Sequence, residues 1–383
     1  MADAGAGNNR VERTATTEPV TERRPRLGLS PRSERWLNAT GWTLVALFAL
    51  AWTWSIAYAR AAAERGVLVA SPSARLAASL TGRDPTATAY LTDAALEALA
   101  SALRGRSGKL TAQTVLPGDT LRADSVPPGA RIVYQSEGDA EAQPESRPTT
   151  PGVRRVAVAV GNALKPVANL NLITMQPFSA KRGGRIGQYL IGNWPSERGA
   201  RGPSGAPAER YANPRGFIEV TRENQHTPVS DHFRLSDFLT KGQANDWPKY
   251  LVLEMRLVDK LELVISELKN NAGVKIERVT VFSGFRTPSY NVGGGNTGGR
   301  ADLSRHMYGD AADLYIDNDG NGTMDDLNRD GRIDTRDVRV ILEAVDRVER
   351  ANPELIGGAG VYPACCGHGP FIHIDTRGYR ARW

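Results

Sequence analysis

The 383-residue chain has only two cysteines, and they are neighbours, Cys365 and Cys366. A framework of disulfides of the kind that staples small exported domains is therefore excluded, and a bond between adjacent residues is strained and readily reduced. Three readings of the pair stay open: a vicinal disulfide, two free thiols, or alternative metal ligands. Neither sign of charge is in large excess, since 48 Lys and Arg stand against 42 Asp and Glu, for a net +6. That balance permits contact with an anionic polymer without requiring it, and no segment carries a nucleic-acid-binding pattern.

Charge is missing altogether from residues 41–59. The uncharged run, with Trp36, Trp42, Trp52, Trp54 and Tyr58 in and around it, predicts a transmembrane helix over residues 36–60. Arg23, Arg24, Arg26, Arg32 and Arg35 precede it, so the positive-inside rule predicts a single-pass protein of the cytoplasmic membrane with its N-terminus inside and the remainder exported. The rival is a cleaved signal peptide ending near Ala57-Tyr-Ala59, but the apolar run is longer than an ordinary signal core. Residues 1–35, rich in Arg, Thr, Glu and Pro and without apolar periodicity, read as a disordered tail.

The length predicts two folded units after the anchor. Residues 61–215 read as an exported β-rich module. It has a helical patch at 92–103, extended segments at 110–116 and 130–134, a Pro-, Glu- and Ser-rich linker at 138–152, and strands at 153–160, 170–174 and 186–191. Its Arg154, Arg155, Lys181, Arg182 and Arg185 read as a solvated basic face or as contacts to an anionic polymer or lipid headgroups.

Residues 216–383 read as an α+β domain. Tyr250, Leu251, Leu253, Leu257, Leu261, Val264, Ile265 and Leu268 keep helical spacing and predict an amphipathic core helix within 247–272. Residues 279–283, 313–316 and 371–375 read as strands. In the last of these, Phe371, His373 and Asp375 share one face and Ile372 and Ile374 the other. A catalytic zinc ion takes three nitrogen or oxygen ligands and keeps a fourth position for water, and His306, Asp313 and His373 meet that requirement. Gly309, Ala311 and Ala312 suit close backbone packing beside a metal, and the glycine-rich run at 293–299 reads as a loop on the rim of a cleft.

These motifs carry a resemblance. Ser304-x-His306-x-x-Gly309-x-Ala311-x-Asp313 resembles the first zinc motif of the D-alanyl-D-alanine carboxypeptidase and murein endopeptidase family. Ser283-Gly-Phe-Arg286 and Phe371-Ile-His373-Ile-Asp375 resemble its other two signatures, in the same order, and the likeness covers residues 229–383. The resemblance implies an antiparallel-sheet α+β fold, one zinc, and hydrolysis of peptide bonds next to D-amino acids, with peptidoglycan peptide stems as partner. It also implies that Arg286 holds the developing oxyanion or the substrate carboxylate.

Many relatives place a Glu three residues before the last His, where this chain has Pro370. His368 is then the best candidate for the general base, ahead of Asp310 and Asp375. The missing Glu also keeps open a second class of function, a catalytically inactive peptidoglycan-binding envelope protein.

A second cation is expected downstream. Asp326, Asn328, Asp330, Arg332, Asp334 and Asp337 reproduce the oxygen spacing of an EF-hand-like calcium loop with Gly331 at its turn, and the terminal Asp resembles dockerin loops. Asp317, Asp319, Asn321, Thr323 and Asp325 form an overlapping loop just before it. So many carboxylates held close repel one another unless a cation neutralises them, so structural calcium is predicted within 317–337. The helix that follows carries Val338, Ile341, Leu342, Val345 and Val348 on one face.

Overall fold

A computed structural model describes residues 31–64, 93–122, 130–136, 143–160, 163–293 and 300–383. The chain divides into two compact units, Met1–Ala57 and Tyr58–Trp383. Most of the predicted N-terminal tail and of the glycine-rich run, and part of the 138–152 linker, lie outside the described residues.

Helix α1 (Pro31–Glu64) covers the uncharged run. It corrects the transmembrane expectation, because among the described residues no helix is long and apolar enough to cross a membrane. Absence of charge is not the same as apolarity. Trp42, Thr43, Trp52, Thr53, Trp54, Ser55 and Tyr58 bring indole N–H and hydroxyl groups that oppose transfer into hydrocarbon. The Thr43 and Thr53 hydroxyls turn back onto the carbonyls of Ala39 and Ala49, at 2.7 and 2.9 Å. This argues against the expected single-pass anchoring.

In the second unit, α2 (Asp93–Leu103) is followed by β1 (Ala112–Val115), β2 (Ala130–Ser136), β3 (Gly152–Val160) and β4 (Ala163–Thr174). They form one sheet in the order β1-β4-β3-β2, with β1 parallel to β4 and the other pairs antiparallel. Alternation along β3 sends Val156 and Val158 into a core with Leu99 of α2 and with Leu170 and Leu172, while Ala157 and Ala159 join Val133 in a separate cluster. Two of the predicted basic residues turn inward. Arg154 is buried and donates to the Thr150 carbonyl, and buried Lys181 is tied to Glu197 at 2.7 Å.

Next come β5 (Gln176–Pro177), the hairpin β6 (Arg185–Ile186) and β7 (Tyr189–Leu190), then β8 (Gly216–Val220) and β9 (Lys249–Leu251). Tyr250 and Leu251 are claimed by β9, opposite Glu219 and Ile218 of β8. Helix α3 (Met255–Asn270) therefore starts later than the apolar spacing predicts. Its Leu257, Leu261, Val264, Ile265 and Leu268 are buried as expected.

The last sheet carries the candidate site. It contains β10 (Val279–Ser283), β11 (Ala311–Ile316), β12 (Gly358–Tyr362), β13 (Phe371–Asp375) and β14 (Ala381–Arg382), in the order β10-β11-β13-β12-β14. Between β10 and β11 runs the short α4 (Pro288–Gly293), and α5 (Thr335–Ala351) precedes β12. Helix α5 buries Val338, Ile341, Val345 and Val348, and Asp334 caps its N-terminus through the Arg336 N–H.

The first four strands pair antiparallel, but β14 runs parallel to β12, with Gly358 opposite Ala381. The sheets are mixed, which corrects the antiparallel expectation. After β13 the chain turns at Gly378, with φ +91°, whose N–H bonds the Ile356 carbonyl, and it leaves this turn in the direction of β12. The main core is continuous across the unit, joining Ile173, Trp194 and Phe217 with Phe238, Leu257 and Ile374.

Candidate metal centre

Register places the ligands. Asp313 on β11 lies directly opposite His373 on β13 and Ser283 on β10. His306 arrives from a 3-10 turn, Arg305–Tyr308, that ends at Gly309 in the left-handed region with φ +69°. A Cβ on Gly309 would come within 2.3 Å of the Val252 carbonyl oxygen, so only glycine lets the chain swing from His306 back into β11. On the other side of the His306 ring, away from its ligand nitrogen, Gly284 plays a related part, since a Cβ there would meet the Phe238 backbone at 2.5 Å.

The three side chains meet. His306 Nε2 is 3.2 Å from Asp313 Oδ1 and 3.2 Å from His373 Nδ1, and the His373–Asp313 edge is 2.8 Å. All three residues are buried. Their tautomers follow from their outer partners. His306 Nδ1 lies 2.7 Å from the Gly284 carbonyl, so it bears the proton and Nε2 keeps a lone pair. His373 Nε2 donates to Asp375 Oδ2 at 3.0 Å, which leaves Nδ1 for the interior of the triangle.

Two neutral imidazole lone pairs and a carboxylate oxygen would then face one another, an arrangement that needs a proton or a cation at its centre. With a proton there, burial opposes the charged ring, but hydrogen bonds to Asp313 and Asp375 push His373 up to about 9. Burial pulls His306 down. Burial alone would raise Asp313, but His306 and His373 hold it well below the usual carboxylate range. The fit to zinc is close, since ligand atoms about 2.0–2.1 Å from a tetrahedral zinc sit about 3.3 Å apart.

Sequence reasoning missed the groups that hold this triangle. Arg377 clamps Asp375 through Nε at 2.9 Å and Nη2 at 2.5 Å, and the Gly358 N–H adds a bond of 2.7 Å to the same carboxylate. Burial opposes charge on Asp375, but His373 and Arg377 hold it well below its ordinary value. The Asp-x-Arg spacing at the exit of a strand was the available signal. Asp375 thus orients His373, and it is fully buried behind that ring. Asp310 is paired with Arg305 at 2.5 Å and buried, so neither aspartate is placed to work as a base.

Arg286 Nη2 holds Asp313 Oδ2 at 2.6 Å, and its Nε holds the Ser283 hydroxyl at 2.8 Å. Its guanidinium and His368 both line a cavity of about 680 Å³ that contains the three ligand residues. His368 packs its ring 5.4 Å from Phe282 and 5.0 Å from Phe371. Its Nδ1 donates to the Gly369 carbonyl at 2.8 Å, so Nε2 is the acceptor. Tyr362 stacks on Phe371 at 4.7 Å, and the Trp383 indole donates to the Tyr362 hydroxyl, which builds an aromatic wall that the strand pattern did not predict. Cys365 and Cys366 are joined as a disulfide on the same cavity.

The calcium residues divide. Asp317, Asp319 and Asp325 bring ligand oxygens within 4.8 Å of one another. The other set does not converge in this way. Asp326 accepts from the N–H groups of Asp330 and Gly331, and Asp337 from those of Leu327, Asn328 and Asp334. Asp330 and Asp334 both pair with Arg336, and hydrogen bonds from Arg336 hold Asp334 down to about 2. Arg332 and Asn328 contribute a backbone N–H to Asp330 and Asp337 respectively. In the upstream loop, Asn321 donates to both Asp319 oxygens, and the Thr323 N–H donates to Asn321 Oδ1. Comparison of the chain with protein-family models, with curated proteins and with solved structures finds no match.

Proposed function

We propose that this chain is a zinc metallopeptidase that hydrolyses peptide bonds next to D-amino acids in peptidoglycan stems. The observation that carries the reading is the buried triangle of His306 Nε2, Asp313 Oδ1 and His373 Nδ1, whose edges of 2.8–3.2 Å open on the aromatic-walled cavity of about 680 Å³. His306, Asp313 and His373 would hold the ion, which when bound supplies a water with a pKa of about 7 and a Lewis acid for the scissile carbonyl.

The remaining work falls to the chain itself. Arg286 is anchored by Ser283 and Asp313 through Nε and Nη2, so its outer nitrogen is left to face a developing oxyanion or a substrate carboxylate. His368 spends Nδ1 on the Gly369 carbonyl, so Nε2 is the nitrogen that can take a proton from the attacking water. Phe282, Phe371, Tyr362 and Trp383 exclude solvent around the stem. A substrate of this class lies outside the cytoplasm, and the Cys365–Cys366 bond fits that oxidising side.

Digestion of defined muropeptides by wild type and His306→Ala, with products read by mass, tests the proposal. Release of D-alanine or cleavage of cross-linked dimers by the zinc-loaded wild type alone is expected. The alternative, an inactive wall-binding protein, draws on Pro370 standing where the family that these motifs resemble often carries Glu. Stoichiometric zinc and muropeptide binding with no product would overturn the enzyme and favour the binder.

A further inference from the structure

Directly after β11 the chain runs Asp317-Asn-Asp-Gly-Asn-Gly-Thr-Met-Asp325. We infer that Asp317, Asp319 and Asp325 form a calcium site, in place of the downstream set from Asp326 to Asp337. Their carboxylate oxygens lie within 4.8 Å of one another. Among the described residues, no Lys or Arg ion pair reaches any of the three.

An independent observation singles out Asp317. Its residue is 3 % exposed, and its Oδ1 is buried with no hydrogen-bond partner. The other oxygen, Oδ2, accepts from the Gly322 N–H at 3.3 Å and from the Thr280 hydroxyl at 3.5 Å. A carboxylate oxygen shut away from water with neither donor nor countercharge is strongly disfavoured, and a cation is the ordinary remedy.

The donor chemistry selects the ion. Every candidate ligand is a hard oxygen, with no imidazole or thiolate in the set, which favours calcium or magnesium over zinc or copper. The loop turns at Gly320 and Gly322, with φ of +73° and +84°, and has one buried, one half-buried and one exposed carboxylate. Such an irregular, unevenly exposed cradle suits the variable coordination of calcium better than the strict octahedron of magnesium. In the downstream loop, Asp326 and Asp337 accept backbone N–H groups on both of their oxygens and Asp330 and Asp334 pair with Arg336, whereas upstream the N–H groups of Asn318, Asn321 and Gly322 leave Asp317 Oδ1 untaken.

The site is tied to the zinc strand at one end and to the cavity at the other. Asp317 is the residue after β11, which carries Asp313. Thr323 packs on Gly369, where a Cβ would come within 2.1 Å of the threonine hydroxyl, and Gly369 is next to His368. A cation that orders this loop therefore orders one edge of the cavity. The inference does not depend on the peptidase reading.

The test uses the full chain, stripped with chelator and reloaded with one equivalent of zinc so that the His306 site is filled. Calcium is then titrated by calorimetry, and thermal unfolding is followed with and without it. One calcium per chain and a rise in Tm are expected, with affinity reduced at least tenfold in Asp319→Asn and again in Asp325→Asn. Both side chains are partly exposed, so these variants should fold, which their chelated Tm checks. Asp330→Asn should bind calcium like wild type. No calcium heat and no Tm shift would overturn the assignment, as would loss of binding in Asp330→Asn with retention in Asp319→Asn. An equal response to magnesium at the same concentration would overturn the choice of ion.

Discussion

His373 donates from Nε2 to Asp375 Oδ2 at 3.0 Å, and this one bond decides which nitrogen of the ring faces His306 and Asp313. Because Asp375 is itself fixed by Arg377 and by the Gly358 N–H, ring orientation is set two layers away from the candidate metal. Carboxylates that hold the far nitrogen of a ligand imidazole fix its tautomer and raise its basicity.

Asp375→Asn keeps the size of the side chain and one acceptor oxygen but removes the charge. Zinc affinity, measured by competition with a chelator, should fall about 10–100-fold, with the fold retained. Asp375→Ala should lose more, because it also strands Arg377 and the Gly358 N–H. Unchanged affinity in both variants would show that His373 is oriented by packing alone.

The pH dependence of the metal-free protein follows from the same ring. Its folded pKa is raised from 6.5 to about 9, by Asp313 and Asp375 against the opposing effect of burial. A raised pKa means that the proton stabilises the folded state. That contribution is fully present below about 6.5 and is lost as pH rises through about 9. In chelator, Tm should therefore decline across this window, after allowance for other groups by comparison with His373→Gln. Zinc displaces the proton, so zinc affinity should move the opposite way and strengthen as pH rises over the same range.

Much of this site could be read from residue spacing. Alternation in Phe371–Asp375 placed His373 and Asp375 on one face, and the resemblance of Ser304–Asp313 to a zinc motif pointed to His306 and Asp313 together. What escaped has physical causes. Strand β14 is two residues long and has no periodicity to detect, so the parallel edge was invisible. Helix α3 lost its expected first turn because pairing with β8 competed for Tyr250 and Leu251. For residues 41–59, counting charges ignored the polar atoms of Trp, Thr and Tyr. In the acidic segment, spacing counts oxygens without revealing which ones are already taken by backbone N–H groups, and that distinction separates Asp317 from Asp337.

Gly309→Ala probes the turn between two ligands. An alanine there would occupy a left-handed conformation at φ +69° and press its Cβ against the Val252 carbonyl oxygen at 2.3 Å. The conformation alone costs about 1–2 kcal/mol, and relief of the contact must move either β11 or the segment before α3. Thermal unfolding should show a loss of at least about 1 kcal/mol in stability, and zinc affinity should fall as His306 is displaced. A variant as stable as wild type would mean that the 3-10 turn relaxes freely.

His368→Ala isolates proton transfer from metal binding. The ring is anchored by its Nδ1 bond to the Gly369 carbonyl and by Phe282 and Phe371, and none of these is a zinc ligand. Removing it should leave zinc content and muropeptide KM close to wild type. It should lower kcat about 10²–10⁴-fold, the range for loss of a positioned general base. His368→Gln separates the two possible roles: glutamine can still donate to Gly369 and pack in the same place, but it cannot accept a proton at neutral pH. If glutamine restores the rate, the imidazole serves only to shape the cavity edge beside the Cys365–Cys366 turn. If it does not, and zinc stays bound, then Nε2 of His368 is the group that takes the proton.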